Sequence, residues 1–466
     1  MGAFGYSRAM KGALVLSLIS VGLSPSAAFA EAGDHVKVGS AEVVPSLKLG
    51  YEWRSNLYLE ENPLFPAVGE QGTVRGSAFV ATPGLKLSLL TNEVSLEMGA
   101  SYGVRKFFAS SKSQNSSYNV ANLDQFNNFD VFGNLHILPN GLVGVRLEES
   151  FAVSNRPIES QFADDALITR TRNDTGGYIV LSPGNALSFD LGGFFLYDQY
   201  DGNEGSSELV SGSRVNNKLG YGGALRSQWE FFPRTALVLD GQVEKFDWER
   251  NVVTTAGDDE PNENTGNGLA MPDGWGWRAT AGIKGRVTNK VVVNALIGYG
   301  QTTYDEQSVL DYAASLNNNV WGDELDPSEG WGTDLKGIAG LLAYGSVTWT
   351  PVTGQSFSAG YKRDFQDSWF TNYVTYNSGF ARYNGALARR WDLRLEGNYR
   401  LEAYAGEVVR NDHVLSTSAG LSYDATDWLT LNGGSTWRRR VSADTPALAS
   451  IEYDDVGFQL GMKLTY

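Results

Sequence analysis

From Val94 to Arg105 the sequence reads VSLEMGASYGVR. Val94, Leu96, Met98, Ala100, Tyr102 and Val104 fall on one face of an extended chain, and Ser95, Glu97, Gly99, Ser101, Gly103 and Arg105 fall on the other. Leu393 to Glu402 repeats the pattern, with Leu393, Leu395, Gly397, Tyr399 and Leu401 set against Arg394, Glu396, Asn398, Arg400 and Glu402. The chain also ends this way, on VGFQLGMKLTY from Val456 to Tyr466. Strands of soluble proteins usually run about 5 to 6 residues, whereas a tilted strand crossing a bilayer needs about 9 to 11. Alternation of this length predicts strands that cross a membrane, with the apolar face on lipid and the charged face toward a wet interior.

Turn chemistry gives the order of the strands. Short connections fall at LTNE (Leu90 to Glu93), PNG (Pro139 to Gly141), SPGN (Ser182 to Asn185), FPR (Phe232 to Arg234), TNK (Thr288 to Lys290), PVTG (Pro351 to Gly354), ARRW (Ala388 to Trp391) and ATDW (Ala425 to Trp428). Longer polar connections lie between them, including Phe108 to Asn119, Thr254 to Gly268 and Tyr304 to Trp331. Strict alternation of short and long connections predicts an all-β, transmembrane antiparallel β-barrel of about 18 strands, with both termini periplasmic. Its first strand is expected over Val44 to Asn56 and its last over Val456 to Tyr466, and the two must pair to close the ring. Alternation is less clean at 72–89 and 173–181, and Pro83 suggests a bulge or kink in the former.

The start of the chain reads as a secretory signal peptide over residues 1–30. Arg8 and Lys11 precede a short apolar run, Gly12 to Leu23, and Ala28 to Ala30 supply small residues for cleavage. Residues 31–43 are then a short periplasmic segment and 44–466 the barrel, which leaves too little chain before the first strand for a plug domain. Excluding 1–30 removes two basic and no acidic residues, so 35 basic against 53 acidic moves the formal charge from -16 to -18. That acidity argues against nucleic acid as a partner. There is no Cys, which removes disulfides, thiol nucleophiles and most zinc sites.

Parity sends a defined set of charges to the wet face. They are Lys48, Glu52, Arg54, Glu97, Arg105, Arg146, Glu148, Asp240, Glu244, Arg278, Lys284, Arg286, Arg394, Glu396, Arg400 and Glu402. Mixed charge around a lumen orders water and sorts solutes by size and polarity. Trp229, Phe231, Trp349, Trp391 and Trp428 stand beside short turns, and Trp248, Trp275, Trp277 and Trp437 near long connections, as two interfacial girdles require. His35, His136 and His413 are scattered, and the acid pairs Asp164–Asp165 and Asp258–Asp259 lie in polar loops without a metal-ligand spacing. No catalytic residue, metal or cofactor is therefore expected. Loop aromatics such as Tyr312, Trp321, Trp331, Trp369, Phe370 and Tyr373 suit sugar rings as well as loop packing.

The stretches PSLKLGYEWRSNLYL (Pro45 to Leu59), TPGLKL (Thr82 to Leu87) and NNFDVFGNLHILPNGLVGVRLEESFAVSNRP (Asn127 to Pro157) resemble the putative β-barrel porin 2 family. That resemblance implies an outer-membrane porin of a Gram-negative bacterium working in exopolysaccharide secretion, with a periplasmic polysaccharide co-polymerase and an export protein as partners. The expected role is thus a passive hydrophilic channel for a secreted polysaccharide. The alternatives are a diffusion porin for small hydrophilic nutrients, with Tyr304 to Trp331 folded inward as its constriction, and a surface enzyme or adhesin on a barrel scaffold. The surrounding lipid bilayer and lipopolysaccharide are further expected partners. The terminal Tyr466 resembles the signal read by the barrel assembly machinery.

Overall fold

The computed structural model describes residues 35–56, 75–109, 125–154, 169–184, 186–201, 217–248, 273–305, 337–367, 373–405, 410–443 and 452–466. The expected signal peptide, the loop acid pairs, the loop aromatics other than Tyr373, and the three long connections apart from 108–109 and 304–305 lie outside these residues.

The wall runs through β2 (Ala41–Arg54), β3 (Gly76–Leu90), β4 (Val94–Ala109), β5 (Gln125–Ile137), β6 (Val143–Ser154), β7 (Thr169–Leu181), β8 (Leu187–Asp201), β9 (Lys218–Phe232) and β10 (Thr235–Trp248). It continues through β11 (Gly274–Thr288), β12 (Val291–Tyr304), β13 (Ile338–Trp349), β14 (Gln355–Asp367), β15 (Tyr373–Ala388), β16 (Trp391–Ala405), β17 (Arg410–Asp424), β18 (Leu429–Ala443) and β19 (Tyr453–Thr465). Each strand pairs antiparallel with the next, and β19 pairs with β2 from Gly457↔Arg54 to Thr465↔Ser46, so the eighteen strands form a closed ring. A three-residue β1 (Val36–Val38) turns through Gly39, at φ 64°, and pairs back on Ala41 to Val43, so the sheet begins before Val44.

All eight expected short turns join consecutive strands at one end of the ring, and the last residue lies there too, with Tyr466 N donating to Pro45 O at 3.1 Å. This is the periplasmic end. At the other end the expected alternation is incomplete, because 368–372 and 406–409 are as short as the periplasmic turns. Pro83 causes no bulge. Pairing with β4 lapses over Thr82 and Pro83, then resumes at Gly84↔Ser101 in the register it left at Ala81↔Val104. A residue without an N–H costs the ladder one bond there, and the strand runs on.

The apolar side chains are on the outside, as membrane strands require. Phe79, Leu191, Leu239, Ile297, Leu341 and Leu460 all stand exposed on the outer face, and Leu460 is 67% exposed. A water-soluble protein would bury such a belt, and this one can satisfy it only with lipid. Trp229, Phe231, Trp349, Trp391 and Trp428 form the lower aromatic girdle, with Trp349 stacked on Phe357 at 5.4 Å between centroids. Trp275 is exposed in the upper girdle. Trp248 departs from the expected girdle: it shares the parity of Glu244 on β10, points inward and is buried against Phe246 and Tyr304. The molecule is an outer-membrane β-barrel, and among the described residues none forms a plug domain.

Candidate functional site

The inner face identifies itself through contacts that no outer face could make. Strands lie about 4.8 Å apart with a tilt of roughly 40°, so a round ring of eighteen has a backbone diameter on the order of 36 Å. Side chains of non-adjacent strands can then meet only inside. Lys218 on β9 holds Asp367 on β14 at 2.8 Å, and Arg278 on β11 holds Asp364 on β14 at 2.6 Å.

The charges expected on the wet face share one face with these contacts, as ion pairs within a strand, between neighbouring strands or across one intervening strand. Arg105 meets Glu52 at 3.0 Å, Arg54 meets Asp455 at 2.7 Å, and Glu97 takes Lys86 at 2.7 Å. Arg146 reaches Glu148 at 2.9 Å and Asp190 at 2.8 Å. Asp240 lies 3.6 Å from Arg226, Glu244 3.4 Å from Lys218, and Glu396 2.9 Å from Arg382. Lys48, Lys284, Arg286 and Arg394 have no ion pair among the described residues, and all four stand near the periplasmic turns. Lys48 is the direct cross-strand partner of Lys463. Like charges placed opposite each other repel, and water in a wide lumen screens them.

Several inward aromatics share a packing arrangement. Each of these covers a glycine of an adjacent strand: Phe132 on Gly99, Phe194 on Gly222, Phe380 on Gly360. Tyr178 lies over Gly192 and is flanked by the guanidinium groups of Arg146 at 4.8 Å and Arg226 at 5.2 Å. A wall only one side chain thick accepts a ring on its inner face where the neighbouring Cβ is missing.

At the outer end two buried clusters replace this open arrangement. On β16 to β18, Arg440 is 3% exposed and binds Glu402, Asp412 (3.0 Å) and the Tyr404 hydroxyl (2.9 Å). Tyr404 in turn donates to Glu402 at 2.7 Å, Arg410 pairs with Asp412 at 2.8 Å, and Arg400 pairs with Glu402 at 2.6 Å. Of this network, Arg400 and Glu402 are the two members expected from the sequence. Charged runs at the strand ends, WRRRV (Trp437 to Val441) and RNDH (Arg410 to His413), were the available signal.

The second cluster comes from a break in the wall. β12 and β13 pair up to Thr302↔Ile338, and β14 and β15 pair up to Asp367↔Tyr373. Between them β13 and β14 pair only from Trp349↔Phe357 to Ala343↔Arg363. Above that point β14 leans into the lumen over the inner face of β9 to β13. In a round ring, strands five apart are separated by roughly 27 Å and strands three apart by about 18 Å, whereas a Lys or Arg in contact with an Asp spans about 13 Å between backbones. The Lys218 and Arg278 contacts therefore require the inward displacement. Phe365, by parity an outward residue, is instead 3% exposed against Ile338, Leu342 and Tyr373. A constriction thus exists at the outer end and is built from strands β14 and β15.

No family model matches the chain, and no curated protein matches it either. The family resemblance stands on its local motifs alone. Among solved structures, the chain is similar to OccAB3 of Acinetobacter baumannii, with 9% identity and a TM-score of 0.46 over 92% of this chain and 100% of that one. It is similar to OpdK of Pseudomonas aeruginosa, with 10% identity and a TM-score of 0.44 over 91% and 99%. A BenF-like porin from Pseudomonas fluorescens Pf-5 gives 10% identity and a TM-score of 0.46 over 92% and 100%. These are likenesses of overall build, and the barrel architecture rests on the strand pairing itself.

Proposed function

We propose that the chain is a passive outer-membrane channel for small hydrophilic solutes. The observation that carries this reading is the inner face, an ion-paired and hydroxyl-bearing wall that narrows at its outer end where β14 leans inward. Such a wall supports passage of compact, hydrated molecules and disfavours threading of a bulky polymer. For that reason the nutrient-sized alternative replaces polysaccharide export as the preferred role.

Liposome swelling with sugars of graded size tests it. Barrels refolded into vesicles are expected to admit mono- and disaccharides and to exclude longer oligosaccharides. Impermeability to all of them, together with loss of secreted polysaccharide on deletion of the gene, would overturn the reading in favour of export.

A further inference from the structure

We propose that the upper end of β14, Asp364 to Asp367, is a latch with two seats, and that the inward seat described above is the closed one. The inward seat is built to receive it. Gly300 on β12 and Gly340 on β13 are direct register partners, and both face inward. A Cβ on Gly300 would meet the Phe365 ring at 3.1 Å and one on Gly340 at 3.9 Å, so the paired glycines form the floor of a socket that the ring fills. Arg278 clamps the segment by donating to Asp364 at 2.6 Å and to Phe365 O at 2.6 Å, with its guanidinium 4.7 Å from the Phe365 ring centre. Lys218 holds Asp367, while its ammonium lies 4.5 Å from the Phe246 ring centre.

The second seat follows from the register. Extending the ladder beyond Ala343↔Arg363 sets Asp364 opposite Leu342, Phe365 opposite Leu341, Gln366 opposite Gly340 and Asp367 opposite Ala339. In that seat alternation turns Phe365 outward beside Leu341, which already faces the membrane, and an aromatic is at home at that level. The seat also completes ladder hydrogen bonds that the inward one forgoes. Asp367 turns outward with Phe365 in that seat, and the Lys218 and Arg278 pairs of the inward seat are exchanged for ladder bonds; a segment with two such competing arrangements is a bistable element. Its outward seat removes the obstruction over β9 to β13 and widens the mouth.

The absence of native Cys makes the test direct. Ala339→Cys with Asp367→Cys places two thiols opposite each other in the outward seat only. Thr348→Cys with Ser358→Cys replaces hydroxyls already 2.9 Å apart on the same two strands and cross-links in both seats. Disulfide formation is read on the folded barrel, and sugar uptake by the same barrel is compared oxidised and reduced. The latch predicts that the 339–367 disulfide forms, that oxidation raises uptake reversibly, and that adding Phe365→Ala speeds cross-linking about tenfold by emptying the socket. Free thiols at 339 and 367 alongside a complete control cross-link would overturn it. So would a disulfide that leaves uptake unchanged in a permeable barrel. The gating step rests on the channel reading, and the two fail separately: a barrel impermeable in every form that still cross-links keeps the two seats and loses the channel.

Discussion

At the periplasmic end β13 and β14 are fully paired, the short turns close every hairpin, and the inner charges stand solvated on the wall. At the outer end the same two strands part, and the charges sit buried in networks that bind several partners each. One alternating sequence pattern thus yields two electrostatic regimes. Charges held in water act on what passes, whereas charges taken out of water act on the protein's own shape, because an unpaired buried charge is far more costly than an exposed one.

Four measurements bear on this contrast. The largest effect is expected for Arg440→Met, which removes the buried cation that Glu402 and Asp412 share and leaves each carboxylate with one arginine, Arg400 or Arg410. Denaturant unfolding of the reconstituted barrel should show a loss of about 3 kcal/mol, the lower end of what breaking a buried pair costs. Arg382→Met, whose pair with Glu396 is 49% and 39% exposed, should cost about 0.5 kcal/mol in the same assay. Equal losses for the two would erase the distinction between the ends. Next, Gly282→Ala puts a methyl where Ala295 O would lie at 1.9 Å, while Gly420→Ala meets nothing within 4 Å. The first should cost about 1 to 3 kcal/mol, and the second should change thermal unfolding little.

Two further measurements read the lumen. Replacing both Lys48 and Lys463 by Glu should shift the reversal potential toward cations in planar bilayers without lowering stability. An unshifted potential would mean that these side chains do not meet the permeating ions. The smallest effect concerns salt. Between 0.1 M and 1 M ionic strength the screening length falls from about 10 to 3 Å, so the selectivity of the wild-type channel should flatten while its unfolding midpoint barely moves.

The strand count and all eight periplasmic turns were legible because both are local signals, a period of two and a few turn residues. Which residues share a face was legible for the same reason. Trp248 was misassigned although the information was present: counting by twos from Glu244 turns it inward, and nearness to a loop outweighed that count. The seat of Phe365 was not legible. Alternation assigns it outward, and the parting of β13 from β14, with the ring seated by a glycine pair on β12 and β13, reverses it. Buried charge at Arg440 and Asp412 was hidden for a related reason, since sequence tells which face a residue occupies and not what covers that face.

The seam between β19 and β2 has a kinetic consequence. Arg54 and Asp455, ion-paired across it, are 401 residues apart in the chain, so the contact that seals the cylinder is also among the most distant in sequence. Contacts of that separation form late, and until this one forms both terminal strands expose unpaired backbone that can capture another chain. Closure of the ring therefore waits on the pairing of β19 with β2. A nascent copy interrupted before residue 453 would hold seventeen of its wall strands and still have two open edges.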